Sequence, residues 1–314
     1  MVQYGADPSA VVKPTGRAVK VQPRTGGKPR GIEELEAELG VRDLTEVIEP
    51  LNVFLYGDTG AGKTVLSASI VEIPEMRPIL FINIEGGTRS IKSREGIRVV
   101  DLRTPLQARL VRQYLKDNWK KFRCVIMDSL TEYRILESRG VLAQAMLTDA
   151  THDKEVLNLR DWGKTHDRVR EFVRFLRDLP IYTIVTALMS KTKDETTGAL
   201  HIEPMLSEKL NGTVPGYFDL VGYLQVENVG GKKTRRLYVQ PTDKMKAKDR
   251  TDALGEYIDN PTMEKLLSKT QPRGYFSPGV FDEPTGAPVE GQAEVEAQVG
   301  EPAAVSSDEK KEEE

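Results

Sequence analysis

The chain has 314 residues, of which 39% are hydrophobic, 30% charged and 6% aromatic, and its formal net charge is −3. One cysteine, Cys124, excludes an intramolecular disulfide framework and a cysteine-based zinc site. No apolar run reaches the length of a membrane span, and the N-terminal residues lack the apolar core of a secretory signal, so a cytoplasmic protein is expected.

Charge is placed unevenly along the chain. Residues 1–30 carry Lys13, Arg17, Lys20, Arg24, Lys28 and Arg30 against Asp7 alone, a net of +5 among prolines and glycines. Residues 282–314 carry eleven acids and two lysines, a net of −9. Both ends have too little apolar side chain to offset the entropy of ordering, so disordered tails are expected around a core at 31–281. Solvation is one reading of these tails. A basic arm that touches phosphates and an acidic tail that competes with nucleic acid is the other.

Within the core, IEELEAEL (32–39) reads as a short helix and LNVFLYG (51–57) as a compact apolar strand. A helix over about 62–72 should follow. PILFINIE (78–85), IRVVDL (97–102), RCVIMD (123–128) and IYTIVTAL (181–188) read as buried strands. Residues 106–122, 130–147 and 154–178 read as helices. The polar stretch 190–217 reads as a long loop or hairpin. YFDLVGYLQVE (217–227) and RRLYVQP (235–241) flank NVGGKKT, a Gly-Gly hairpin signal. Strands alternating with helices imply a mostly parallel sheet flanked by helices, with the late hairpin as an antiparallel edge. Trp162, Val169, Phe172, Val173 and Leu176 recur at helical spacing and read as core. His152, His166 and His201 show no ligand spacing, so no zinc is expected.

Gly57-Asp58-Thr59-Gly60-Ala61-Gly62-Lys63-Thr64 fits the phosphate-loop pattern between a strand and a helix. Glycines let backbone N–H groups approach an anion, and the helix start adds positive potential. Lys63 can reach the β- and γ-phosphates of ATP, and the Thr64 hydroxyl can ligate Mg²⁺. Asp128, at the end of an apolar strand, is the expected second carboxylate for the metal. Glu85 ends the second strand before Gly86-Gly87, where it can polarise a water for in-line attack on the γ-phosphate or cap a turn.

The succession GDTGAGKT, FINIEGG, CVIMDSLTE and IVTAL resembles the RecA-like recombinase ATPases, and most of all their short, phage-encoded, core-only members implicated in single-strand annealing and recombination. The resemblance extends through RDWGKTHDRVREFVRFLRDLP, VPGYFDLVGYLQV and PTDKMKAKDR, so it covers roughly residues 50 to 265. It implies a RecA-like P-loop NTPase core with Glu85 as the general base and Asp128 as the Walker B carboxylate. It also implies a γ-phosphate sensor at Thr186, at the end of the fifth strand. A glutamine usual in that region is replaced by Leu188. Lys248 and Arg250 match basic residues that reach a neighbouring protomer's nucleotide. The loop 190–217 matches a DNA-binding loop, with Lys191, Lys193 and Lys209 as candidate phosphate contacts. Lys232, Lys233, Arg235 and Arg236 form a denser basic patch on the late hairpin, to be weighed against a solvated hairpin tip.

The expected activity is hydrolysis of ATP to ADP and phosphate by a homo-oligomer, ring or filament, that binds single-stranded DNA in the host cytoplasm. A single-strand-binding protein is a further partner to look for, and no membrane is. A helicase- or packaging-type translocase and a non-hydrolysing nucleotide switch are the alternatives.

Overall fold

The computed structural model describes residues 31–41, 50–193, 198 and 200–271. The expected basic arm and acidic tail lie outside the described residues. The chain divides into two units, Met1–Val47 and Ile48–Glu314. What is described of the first is helix α1 (Ile32–Leu39), whose Ile32, Leu35 and Leu39 are exposed.

The second unit is built on one ten-stranded sheet. The strands are β1 (Asn52–Gly57), β2 (Ile79–Asn83), β3 (Ile97–Asp101), β4 (Cys124–Asp128), β5 (Tyr182–Lys193), β6 (Leu200–Pro204), β7 (Leu220–Val229), β8 (Lys232–Tyr238), β9 (Lys248–Asp249) and β10 (Tyr257–Asp259). Their order is β10-β8-β7-β1-β5-β4-β2-β3, with β6 on β5 and β9 on β7. Pairing is parallel from β7 across to β3. The late strands β8 and β10 run antiparallel. The result is a mostly parallel sheet with an antiparallel late hairpin, in which β5 lies between β1 and the Asp128 strand β4, and β2, which leads to Glu85, lies beyond β4.

Helices cover both faces, which is why the central strands read as continuous apolar runs. Alternation along β1 sends Val53 and Leu55 to one core with α2 (Lys63–Ala68) and α7 (Met263–Thr270). Phe54 and Tyr56 face the other core, against α3 (Pro105–Asn118), α4 (Leu130–Thr148) and α5 (Leu159–Arg177). On α5, Val169, Phe172, Val173 and Leu176 are buried, as their spacing predicts. The helix starts are chemically marked. Thr104 and Gln107 form a capping box on α3, and Asn158 and Asp161 form one on α5.

One expectation is revised. The helix after the phosphate loop is α-helical only to Ala68, and residues Ser69–Glu72 tighten into a 3₁₀ turn. Of the two readings of 190–217, loop or hairpin, the hairpin is the one that forms. Strand β5 continues to Lys193 and pairs with β6, and the chain then forms α6 (Glu208–Asn211) and a 3₁₀ turn at Val214–Tyr217. Polar residues such as Ser190 and Thr192 hide this extension, because β5 leaves the core where they begin. The Gly-Gly signal is met: Gly230 and Gly231, with φ of 59° and 80°, turn β7 directly into β8.

Candidate nucleotide site

The phosphate loop leaves the C-terminal end of β1. At Gly57 a Cβ atom would lie 2.3 Å from the Leu224 carbonyl oxygen of β7, so no side chain fits there. Gly62, at the start of α2, holds φ at 104°, a left-handed conformation that favours glycine. Lys63 is only 6% exposed. Its ammonium donates to the carbonyls of Gly57 and Asp58, each at 3.0 Å. Burial pulls the Lys63 pKa below its ordinary range, and the carboxylates of Glu85, Asp128 and Asp58 pull it back, in that order.

Asp128 is the hub of the site. It is 2% exposed, at the end of β4. Thr64 Oγ1 donates to its Oδ2 at 2.7 Å, and Thr186 Oγ1 donates to its Oδ1. Thr186 therefore sits in mid-strand, completely buried beside Asp128, and not at a strand end. Leu188, where the resemblance leads one to expect glutamine, donates its backbone N–H to Thr131 Oγ1 at 3.0 Å.

The donor set suits a hard, oxygen-seeking cation. A Cβ at Gly87 would come within 3.7 Å of Thr64 Oγ1 and 3.8 Å of Asp128 Oδ2, so the missing side chain leaves a cradle over both oxygens. A hydroxyl and a carboxylate, with the remaining positions left to water and phosphate oxygens, are what Mg²⁺ takes in phosphoryl-transfer sites. Among the described residues there is no cluster of three or more His, Cys, Asp or Glu side chains able to hold a metal.

Glu85 is exposed, two residues beyond β2. Its charge, with those of Asp128 and Asp58, opposes the lowering of the Lys63 pKa. Its backbone is pinned. The amides of Ile84 and Glu85 both donate to the Asp128 carbonyl, at 2.8 and 3.2 Å, and Asn83 Oδ1 accepts from the Gly86 amide at 2.9 Å. Arg103 Nη1 donates to the Ile84 carbonyl at 2.6 Å and braces the same turn.

The basic candidates divide. Lys191 and Lys193 are exposed two residues apart on β5, which puts them on one face of the strand, and Lys209 is exposed on α6. Lys232 and Lys233 are exposed at the β7–β8 tip. Arg236 does not belong to that free surface: it pairs with Glu227 and Asp259, at 3.0 and 2.8 Å, and lies 4.0 Å over the Tyr257 ring. Arg235 also leaves the patch. Its Nε donates to the Ala61 carbonyl of the phosphate loop at 3.2 Å. The sequence carries no local sign of this contact, which depends on how β8 registers in the sheet. Lys248 donates to the Phe218 carbonyl at 2.6 Å, and Arg250 to Asp219 Oδ1 at 2.6 Å, so both cations are tied within their own protomer.

Among the described residues no helix is long and apolar enough to cross a membrane. No curated protein matches the chain. A crystal structure of a KaiC-like protein from the hyperthermophilic archaeon Pyrococcus horikoshii OT3 is similar at 15% identity and a TM-score of 0.39, over 71% of this chain and 97% of that one. The family described as AAA domain matches residues 49–251, from the strand before the phosphate loop to just past Arg250. With that match spanning more than half of the chain, over a phosphate loop and a buried strand-end aspartate, this protein belongs to the AAA domain family of P-loop ATPases.

Proposed function

We propose that the protein is a Mg²⁺-dependent ATPase that binds single-stranded DNA and promotes annealing or strand exchange as a homo-oligomer. The observation that carries the ATPase reading is the placement of Glu85. The turn after β2 that carries it is tied by the Ile84 and Glu85 amides to the carbonyl of Asp128, whose side chain accepts from Thr64 of the phosphate loop in a pair suited to the metal.

The chemistry follows from these residues. Backbone N–H groups of residues 59–64 and the Lys63 ammonium neutralise the phosphate chain and hold it for in-line displacement. Thr64 and Asp128 would hold Mg²⁺, which supplies charge neutralisation across the β- and γ-phosphates when bound. Glu85 accepts a proton from the attacking water as its oxygen bonds to the γ-phosphorus. The bond from phosphorus to the β–γ bridging oxygen breaks, and ADP and phosphate result. Removing a positioned general base costs about 10²–10⁴-fold in rate. Glu85→Gln is therefore expected to lose turnover on that scale while still binding ATP, as read by steady-state hydrolysis beside a fluorescent-nucleotide titration. Wild-type turnover in the Gln variant would reject this role.

The DNA reading is supported by the exposed Lys191 and Lys193 in the last residues of β5, toward the C-terminal ends of the strands where the nucleotide is expected, and by the exposed Lys209 on α6. Such contacts add sequence-independent, salt-sensitive affinity. DNA-stimulated hydrolysis that is lost in Glu85→Gln fits a recombinase. Duplex unwinding would instead favour a translocase, and nucleotide binding without turnover a switch.

A further inference from the structure

Arg235 occupies a position that the DNA reading does not explain. It stands on β8 two residues before Leu237, and so on the same strand face, which is the face packed against α2 and α7. Its backbone is fixed on both sides. It pairs across the hairpin with Val226, and its carbonyl accepts from the Asn260 amide at 2.6 Å. From that rung the side chain reaches the loop 174 positions away in sequence, where Nε donates to the Ala61 carbonyl at 3.2 Å. The contact depends on the glycine beneath it, because a Cβ at residue 62 would lie 2.8 Å from the same Nε. Next to it, Arg236 is neutralised by two carboxylates, whereas Arg235 has no carboxylate partner among the described residues.

A guanidinium carries five N–H donors in a fixed fork. One is used on the phosphate loop, which leaves the two terminal amino groups for another acceptor. The loop on which the fork rests is an anion cradle. We infer that Arg235 is a nucleotide-binding residue supplied in cis by the β7–β8 hairpin, anchored by Nε to the Ala61 carbonyl and presenting its terminal amino groups to the anionic chain of bound ATP. This rests on the ATPase reading and adds to it a cation from the same protomer. It also separates Arg235 from Lys232 and Lys233 at the hairpin tip.

The test is a titration of the full chain with fluorescent ATP at two ionic strengths, with steady-state hydrolysis alongside, for wild type, K63A, R235K and R235M. A charged hydrogen bond to the nucleotide predicts that R235M weakens ATP binding roughly tenfold or more. Its affinity should also depend less steeply on salt, and its KM should rise more than its kcat falls. R235K keeps the charge but not the fork. It should retain the salt dependence and recover only part of the affinity. ATP affinity and salt dependence equal to wild type in R235M overturn the inference, as does a loss confined to thermal stability. If R235M does not fold, R235K decides, and wild-type affinity there overturns it. If wild type itself binds no ATP, the ATPase reading falls and the inference with it. If wild type binds, K63A does not and R235M matches wild type, the inference alone is lost.

Discussion

At the scale of single residues, Asp128 does the most. A carboxylate this deeply buried is costly unless its oxygens find donors, and it has two, the hydroxyls of Thr64 and Thr186. Thr186→Val keeps the shape and removes one of those donors. It is expected to cost about 1–3 kcal/mol in urea unfolding, because the buried acceptor is left unpaired. The same variant should need more Mg²⁺ for half-maximal hydrolysis. Unchanged stability would mean that the carboxylate is paired elsewhere. The residues of the phosphate loop, together with Asp128 and Glu85, were legible in the sequence because each is marked locally, by a glycine-rich turn or by the end of an apolar run. Arg235 was not, since its contact joins segments 174 positions apart and arises from strand register alone. Thr186 was legible as a site residue but not as a donor to Asp128, which needs β4 and β5 side by side.

At the scale of elements, the start of α5 brings two histidines into opposite environments. His152 Nε2 lies 2.6 Å from the Asp161 carboxylate and its Nδ1 2.6 Å from the Asp153 carbonyl. These contacts raise its pKa above the ordinary value of about 6.5, the carbonyl contributing most. Its stabilising effect is complete below the unfolded-state value and is lost as pH rises through the higher folded-state one. His166, on α5 itself, shares a 2.8 Å contact with Ser207 Oγ. Burial lowers its pKa first, then the positive charges of Arg170, Lys209 and Arg134, with Asp167 opposing them. Its contribution runs the other way: present above about 6.5 and lost as pH falls through the depressed folded-state value. Nuclear magnetic resonance titration of the histidine ring protons, assigned with His152→Gln and His166→Gln, should place the two midpoints on opposite sides of about 6.5. Midpoints on the same side would contradict this geometry. The element order and the apolar strands could be read from periodicity. The far half of β5, the two-residue β9, the three-residue β10 and α7 could not, since short or solvent-facing pieces carry little periodic signal.

At the scale of the whole molecule, charge is the main lever. The last 33 residues, 282–314, hold a net of −9 against +5 in residues 1–30. An acidic segment competes with nucleic acid for basic surface, within a screening length of about 10 Å at 0.1 M salt. Deleting 282–314 is expected to tighten single-stranded DNA binding at low salt and to matter little at high salt, as measured by fluorescence anisotropy. Equal affinities at low salt would reject autoinhibition by the tail. One peptide unit ties the interior of the sheet to these outward properties. The Asp128 carbonyl receives the amides of Ile84 and Glu85, while the side chain of the same residue meets Thr64. On the proposed reading, cation capture and proton abstraction hang from a single point at the tip of β4. Displacing that point would extinguish both together, and substitutions on either side of it should combine with far less than additive damage.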